Sequence, residues 1–287
     1  MKKLLIFLFL FTYAYSLDGQ TNNTKEGFYN IGFGAIFGGF GAVINKKKDQ
    51  KVLDVFVKGM GQGALGGYLI FESKRLIGRF GKTQNYSYVW PSRLINSAGN
   101  SIIENAASNR NFWERWHLNI GFNRIEILTT EKLKLRYKFM PFSFGTFVRN
   151  YSKGRMDISK TLKTGIFVFN SSENVSVDGY SNILLDGSTF GNSIVLYGNP
   201  ISDKEDILAH EIIHVYQNES FVVFNPYLER PIENLIPKKV VATKFWSHIY
   251  LDFNTIYFNG AYQIDATFND DYFKRFFEQE AYFYQKK

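Results

Sequence analysis

Two imidazoles and a carboxylate stand close together in Asp206–Gln217, D-I-L-A-H-E-I-I-H-V-Y-Q. In a helix, positions four apart lie on one face, so His210 and His214 would point the same way, one turn apart. Two neutral imidazoles so placed can hold one metal ion, and Glu211, next to the first, can reach a water held by that ion. The H-E-x-x-H spacing suits Zn2+. The chemistry it implies is hydrolysis by a metal-activated water, with Glu211 as general base.

The chain contains no cysteine. That excludes thiolate-held zinc, Fe–S clusters, disulfides and a cysteine nucleophile, so a metal must be held by His and carboxylates. Two His make an incomplete site, because catalytic zinc usually has three protein ligands and one open position. A third His at metzincin spacing is absent, since Gln217 and Ser220 stand where Gly and His would be. The missing ligand is therefore a carboxylate or His248, further along the chain.

H-E-I-I-H followed by a later helix bearing E-x-x-A resembles the gluzincin branch of the zinc metallopeptidases. The matching segment is F-F-E-Q-E-A-Y-F-Y, residues Phe276–Tyr284, with Glu278-Gln279-Glu280-Ala281 fitting E-x-x-A. The resemblance implies that Glu278 is the third ligand and that Ala281 lets two helices pack closely. It also implies Zn2+ as cofactor and a peptide or protein as substrate. Many members carry Asp after the Ala, where this chain has Tyr282. Glu280 competes with Glu278: it falls amid a stripe of Phe273, Phe276, Phe277 and Phe283, where an unpaired carboxylate would be costly. Glu229 and Glu233 are the remaining candidate ligands. His248 and Tyr262 are candidates for polarising a substrate carbonyl. His117, in a strand-like region, reads as a structural histidine.

Several elements must position these groups. Ser202 and Glu205 form a capping-box pattern that should start the H-E-I-I-H helix. The E-x-x-A motif should lie on a last helix, Asp270–Gln285. Gln84–Ser92 reads as a turn punctuated by Trp90-Pro91, and Arg93–Arg110 as a helix. Alternating segments around Leu118–Ile127, Lys132–Met140, Ile166–Phe169, Asn182–Leu185 and Ser193–Tyr197 predict a meandering, mostly antiparallel sheet of five or six strands. The fold class expected is α+β: a zincin-like catalytic domain over residues 84–287, preceded by a Gly-rich helical hairpin over residues 17–83.

Phe28–Ile44 runs for 17 residues without a charge, and Val55–Phe71 is a second apolar run after Lys46-Lys47-Lys48. Glycines fall four apart at Gly34/Gly38, Gly59/Gly63 and Gly63/Gly67, a spacing that lets helix backbones approach closely. The hairpin at residues 28–71 is thus a candidate for membrane association, with either a spanning or a packed form open. Met1–Ser16 has the positive start, short apolar core and small residues of a secretory signal peptide. Export to the cell envelope follows. The net charge of +8 is spread along the chain without a basic recognition motif, which excludes a nucleic-acid partner. The competing function class is a non-enzymatic envelope or outer-membrane protein whose metal site is structural or degenerate.

Overall fold

The computed structural model describes residues 23–173, 175–177, 180–198, 204–235 and 245–285. Met1–Ser16 and Ser202 lie outside these residues. The architecture is mixed α+β and mostly helical, with small sheets.

The Gly-rich runs form two long helices, α1 (Asn23–Ile44) and α2 (Val52–Thr83). Residues 45–51 connect them, and they pack antiparallel, with Asn30, Gly34 and Gly38 meeting Gly67, Gly63 and Gly59 in turn. A Cβ added at Gly38 would lie 2.9 Å from the Gly59 carbonyl oxygen, and one at Gly63 would strike the Gly34 backbone outright. Only glycine permits this separation, which answers why a residue that weakens isolated helices recurs here. A third helix, α3 (Val89–Ala107), crosses α2 as closely: a Cβ at Gly66 would lie 2.7 Å from the Gly99 carbonyl oxygen. Helix α3 begins four residues before the expected Arg93. Pro91 sits in its first turn, where a missing N–H costs nothing, so Trp90-Pro91 opens a helix instead of punctuating a turn.

Among the described residues only Asn23–Ile44 is long and apolar enough to cross a membrane, with mean hydropathy 1.4 over its best window, and 56% of that window is buried in protein. The second apolar run lies within α2, which continues through Lys74 and Phe80 into the core. There Ile77 and Phe80 pack with residues of two further helices, α6 (Glu205–Ser220) and α9 (Phe276–Gln285). The core therefore runs across residue 83.

Among the described residues the strands form three small sheets, in place of one meander. Strands β1 (Arg115–Ile120), β2 (Asn123–Leu128) and β3 (Lys134–Phe139) are antiparallel neighbours in chain order. Helix α4 (Pro141–Tyr151) separates them from the next group. That group comprises β4 (Arg155–Met156), then helix α5 (Ile158–Thr164), β5 (Phe167–Ser171), β8 (Gly187–Phe190) and β9 (Ser193–Tyr197), in the order β4-β5-β9-β8. Its β5–β9 pair is parallel, which alternation of residues cannot reveal. Strands β6 (Val175–Val177) and β7 (Tyr180–Leu185) make a separate hairpin.

Strand β9 is buried at all five positions, and α6 lies against β8 and β9. Leu208, Ile212, Ile213 and Val215 of α6 are fully buried. Each contributes on the order of 1.5–3 kcal/mol on burial, which offsets the cost of the polar side chains the same helix carries inward. Among the described residues, helices α7 (Asn225–Leu235) and α8 (Asn254–Phe268) lie between α6 and α9.

Candidate metal centre

Helix α6 starts at Glu205, with Lys204 at the N-cap and no side-chain cap there, so Glu205 opens the helix instead of sitting three residues inside it. It is fixed along its length. Arg93 of α3 grips Glu219 with both guanidinium nitrogens, at 2.5 and 2.8 Å, and Tyr216 Oη lies 3.0 Å from Ser92 Oγ. The last helix is shorter than the sequence suggests. A 3-10 turn, Tyr272–Lys274, and an extended Arg275 (ψ 134°) precede it, so α9 starts at Phe276. Ala281, fully buried, sits in the core cluster formed with α6.

His210, His214 and Glu278 converge. The two Nε2 atoms are 3.1 Å apart; Glu278 Oε2 is 3.2 Å from His210 Nε2, and Oε1 is 3.4 Å from His214 Nε2. With one donor atom taken from each residue, all three lie within 4.8 Å of one another, and the carboxylate faces the two rings through different oxygens, so the group can close on one small divalent cation. His210 and His214 are 6% exposed, Glu211 4% and Glu278 2%.

Donor chemistry provides an independent test. Gln217 Oε1 lies 2.8 Å from His214 Nδ1, and Gln217 Nε2 donates to the Phe277 carbonyl (2.9 Å) and to Glu280 Oε2 (2.8 Å). With the amide nitrogen committed to two acceptors, its oxygen accepts from His214 Nδ1–H. The neutral His214 ring then aims the Nε2 lone pair at a carboxylate and at another ring nitrogen. These groups need a donor between them, supplied either by a proton, such as the Nε2–H of a neutral His210, or by a metal. Without metal the proton takes that place. Burial alone would depress His214, but Glu278 beside it outweighs this and raises its pKa to about 9. Burial would likewise raise Glu278, yet its two His neighbours hold it well below the usual carboxylate range.

Glu211 lies off the triangle. Thr189 of β8 donates its hydroxyl proton to Glu211 Oε2 at 2.8 Å. A Cβ at Gly187, also on β8, would come within 2.8 Å of Glu211 Oε1. Burial raises the Glu211 pKa, while the two nearby imidazoles pull it down. A carboxylate kept from ligation and biased toward holding a proton is suited to proton transfer.

Tyr262 donates to Glu278 Oε1 at 2.6 Å. It holds Glu278, a different task from polarising a carbonyl. The Tyr282 ring packs edge-on against His210, with centroids 4.5 Å apart. Among the described residues, His210 Nδ1 is buried without a hydrogen-bond partner.

Glu280 is not in the triangle. It pairs with Lys74 at 2.7 Å, and neither side chain is more than 1% exposed. The apolar stripe argued that a carboxylate there needs a partner, and Lys74, 206 positions away in sequence, is that partner. His248 is exposed, with Nδ1 3.2 Å from Ser247 Oγ, and is not part of the cluster. Glu229 pairs with Arg110 at 3.1 Å. Glu233 has no described side chain. His117 is a buried strand residue, 3.1 Å from Ser101 Oγ and 3.3 Å from Glu104, with its pKa depressed to about 3 by burial and by Arg124. Sequence reasoning missed Thr189, Gln217, Lys74 and Asn30. Only Gln217, three residues after His214, carried a local signal.

No family model, curated protein or solved structure matches this chain.

Proposed function

We propose that the protein is an exported, zinc-dependent hydrolase of peptide bonds, with a zincin-like catalytic domain. One observation carries the reading: His210, His214 and Glu278 converge at 3.1–3.4 Å in a buried site, and a second carboxylate, Glu211, stands beside them uncommitted to the triangle. His210, His214 and Glu278 would hold Zn2+. Bound there, the ion supplies Lewis acidity toward water and toward a scissile carbonyl.

The chain's own groups do the rest. Glu211 takes the proton of the attacking water and delivers it to the leaving amine. Thr189 fixes which carboxylate oxygen faces the reaction. Tyr262 and Gln217 hold the ligands in place. Strand β8, which carries Gly187 and Thr189, ends the sheet order, so an extended peptide can align along it beside Glu211. The active-site helix packed on β8–β9, and Ala281 at the α6–α9 contact, support the zincin-like assignment.

The test is a paired one. Glu211→Gln should retain one zinc per chain and lose peptide hydrolysis by about 10²-fold or more, the usual weight of a general base. Unchanged turnover in that variant would end the hydrolytic reading.

A second reading, a structural metal site in an envelope protein, draws on the near-complete burial of all four groups. Zinc-loaded protein that cleaves no member of a mixed peptide library, with zinc that resists exchange, would favour it. For location, Ile44, Val52 and Leu53 are exposed at the hairpin tip among Lys47, Lys48 and Lys51. That mixture suits docking on an anionic membrane surface without spanning it.

A further inference from the structure

We infer that Gln217 and Glu280 are positioning residues for the metal centre: with Lys74 and Asn30 of the N-terminal hairpin they fix the tautomer of His214. The inference rests on the zinc reading of His210, His214 and Glu278.

The chain of contacts is continuous and buried. Lys74 Nζ donates to Glu280 Oε1 (2.7 Å) and to Asn30 Oδ1 (2.9 Å), and Asn30 Nδ2 donates to the same Glu280 oxygen (3.0 Å). The other Glu280 oxygen accepts from Gln217 Nε2 at 2.8 Å, and Gln217 Oε1 faces His214 Nδ1 at 2.8 Å. Every link has a direction. Ammonium and amide protons saturate one carboxylate oxygen, which leaves the second to claim the Gln217 nitrogen. The Gln217 oxygen must then receive the imidazole proton.

That proton placement decides ligation. An imidazole protonated at Nδ1 offers Nε2 to a metal, whereas one protonated at Nε2 cannot ligate through it. Were Glu280 neutral or absent, the Gln217 amide could turn, present its NH2 to Nδ1 and drive the proton onto Nε2. The carboxylate also raises the basicity of His214 at one remove, as outer partners of zinc-bound histidines do. Asn30 and Lys74 come from α1 and α2, so the hairpin is part of the metal site's support. His210, whose Nδ1 lacks any such partner, shows what the arrangement adds.

A purely structural amide would hold α6 to α9 without choosing a tautomer, and three variants separate the two. Gln217→Met keeps volume and removes the acceptor. Gln217→Glu combined with Glu280→Gln moves the carboxylate one residue along the chain of contacts and still accepts from His214 Nδ1–H. His214→Ala reports on the site itself.

Zn2+ dissociation constants by chelator competition, thermal unfolding of the metal-free forms, and long-range 1H–15N spectra of the zinc-loaded histidines are measured for each. The expected results are zinc binding about 10- to 100-fold weaker in Gln217→Met, near wild-type binding in the double variant, and a proton on His214 Nδ1 in wild type and double variant alike. Wild-type affinity in a folded Gln217→Met overturns the inference and leaves the zinc reading standing. A proton on His214 Nε2 in the zinc-loaded wild type overturns the inference and ligation through that nitrogen together. If Gln217→Met does not fold, the double variant decides: retained affinity supports the inference, and a tenfold loss in a folded protein refutes it. Zinc binding indifferent to His214→Ala ends both.

Discussion

At the scale of single residues, the account turns on which buried polar groups have partners. Glu280 and Lys74 are both fully enclosed. Replacing Lys74 by Met leaves a buried carboxylate without its counter-charge, and the expected loss is about 3–5 kcal/mol of unfolding free energy in urea titration. Replacing both by Met should recover most of that stability. Zinc affinity should stay weak in the double variant, because Gln217 has lost the group that orients it. Recovery of stability and affinity together would mean that the pair serves packing alone. Thr189→Val tests the other outer contact: loss of a hydrogen bond to an ionised carboxylate, about 1.5–3 kcal/mol, should lower turnover with zinc content unchanged. The cluster of His210, His214 and Glu278 was legible in sequence because helical periodicity brings i and i+4 together, and because Glu278 and Ala281 share one short motif. Glu280 could be recognised only as a carboxylate in need of a partner. That partner lies on a helix 206 positions away, and no local pattern encodes such a pairing.

At the scale of elements, the glycines of the hairpin make a sharp comparison. A Cβ at Gly63 would strike the Gly34 backbone, whereas one at Gly61 meets nothing within 4 Å. Gly63→Ala should destabilise the protein by about 1–3 kcal/mol through overpacking, and Gly61→Ala should stabilise it by up to about 1 kcal/mol through helix propensity. Chemical denaturation of the two variants beside wild type checks both signs. The same helices carry a pH dependence. Glu26 of α1 is buried next to Glu280, and burial, with the neighbouring negative charge, raises its pKa above the ordinary 4.5. The folded state thus holds a proton that the unfolded chain releases. The stability Glu26 contributes is present below pH 4.5 and declines as pH rises through its folded value. Glu26→Gln should flatten that decline above pH 5 in a series of unfolding curves. The close approach of α1 and α2 was readable from the glycine spacing, and a helix was expected over Arg93–Arg110, but the equally close packing of α3 on α2 at Gly66 and Gly99 was not. The single predicted sheet failed because alternation marks strands and leaves their pairing open, and the parallel β5–β9 pair depends on a crossover that no strand pattern records.

At the scale of the whole molecule, hairpin, sheet and terminal helix meet at one place. Helix α2 contributes Ile77 and Phe80 to the core beneath α6 and Lys74 to the network behind His214. Deleting the hairpin should therefore abolish zinc binding as well as any membrane contact, whereas Lys47→Gln, Lys48→Gln and Lys51→Gln together should spare zinc. Those three changes should release the protein from vesicles containing anionic lipid, each lysine near the surface counting for about 1 kcal/mol. Flotation with anionic and neutral vesicles reads this directly. The catalytic reading depends on the triangle of His210, His214 and Glu278 holding an ion. Native mass spectrometry of the purified protein after zinc loading and desalting tests that claim most directly. One Zn2+ per chain is expected in wild type and Glu211→Gln, and none in His214→Ala or Glu278→Ala. Equal zinc in all four, or none in the wild type, would contradict the account.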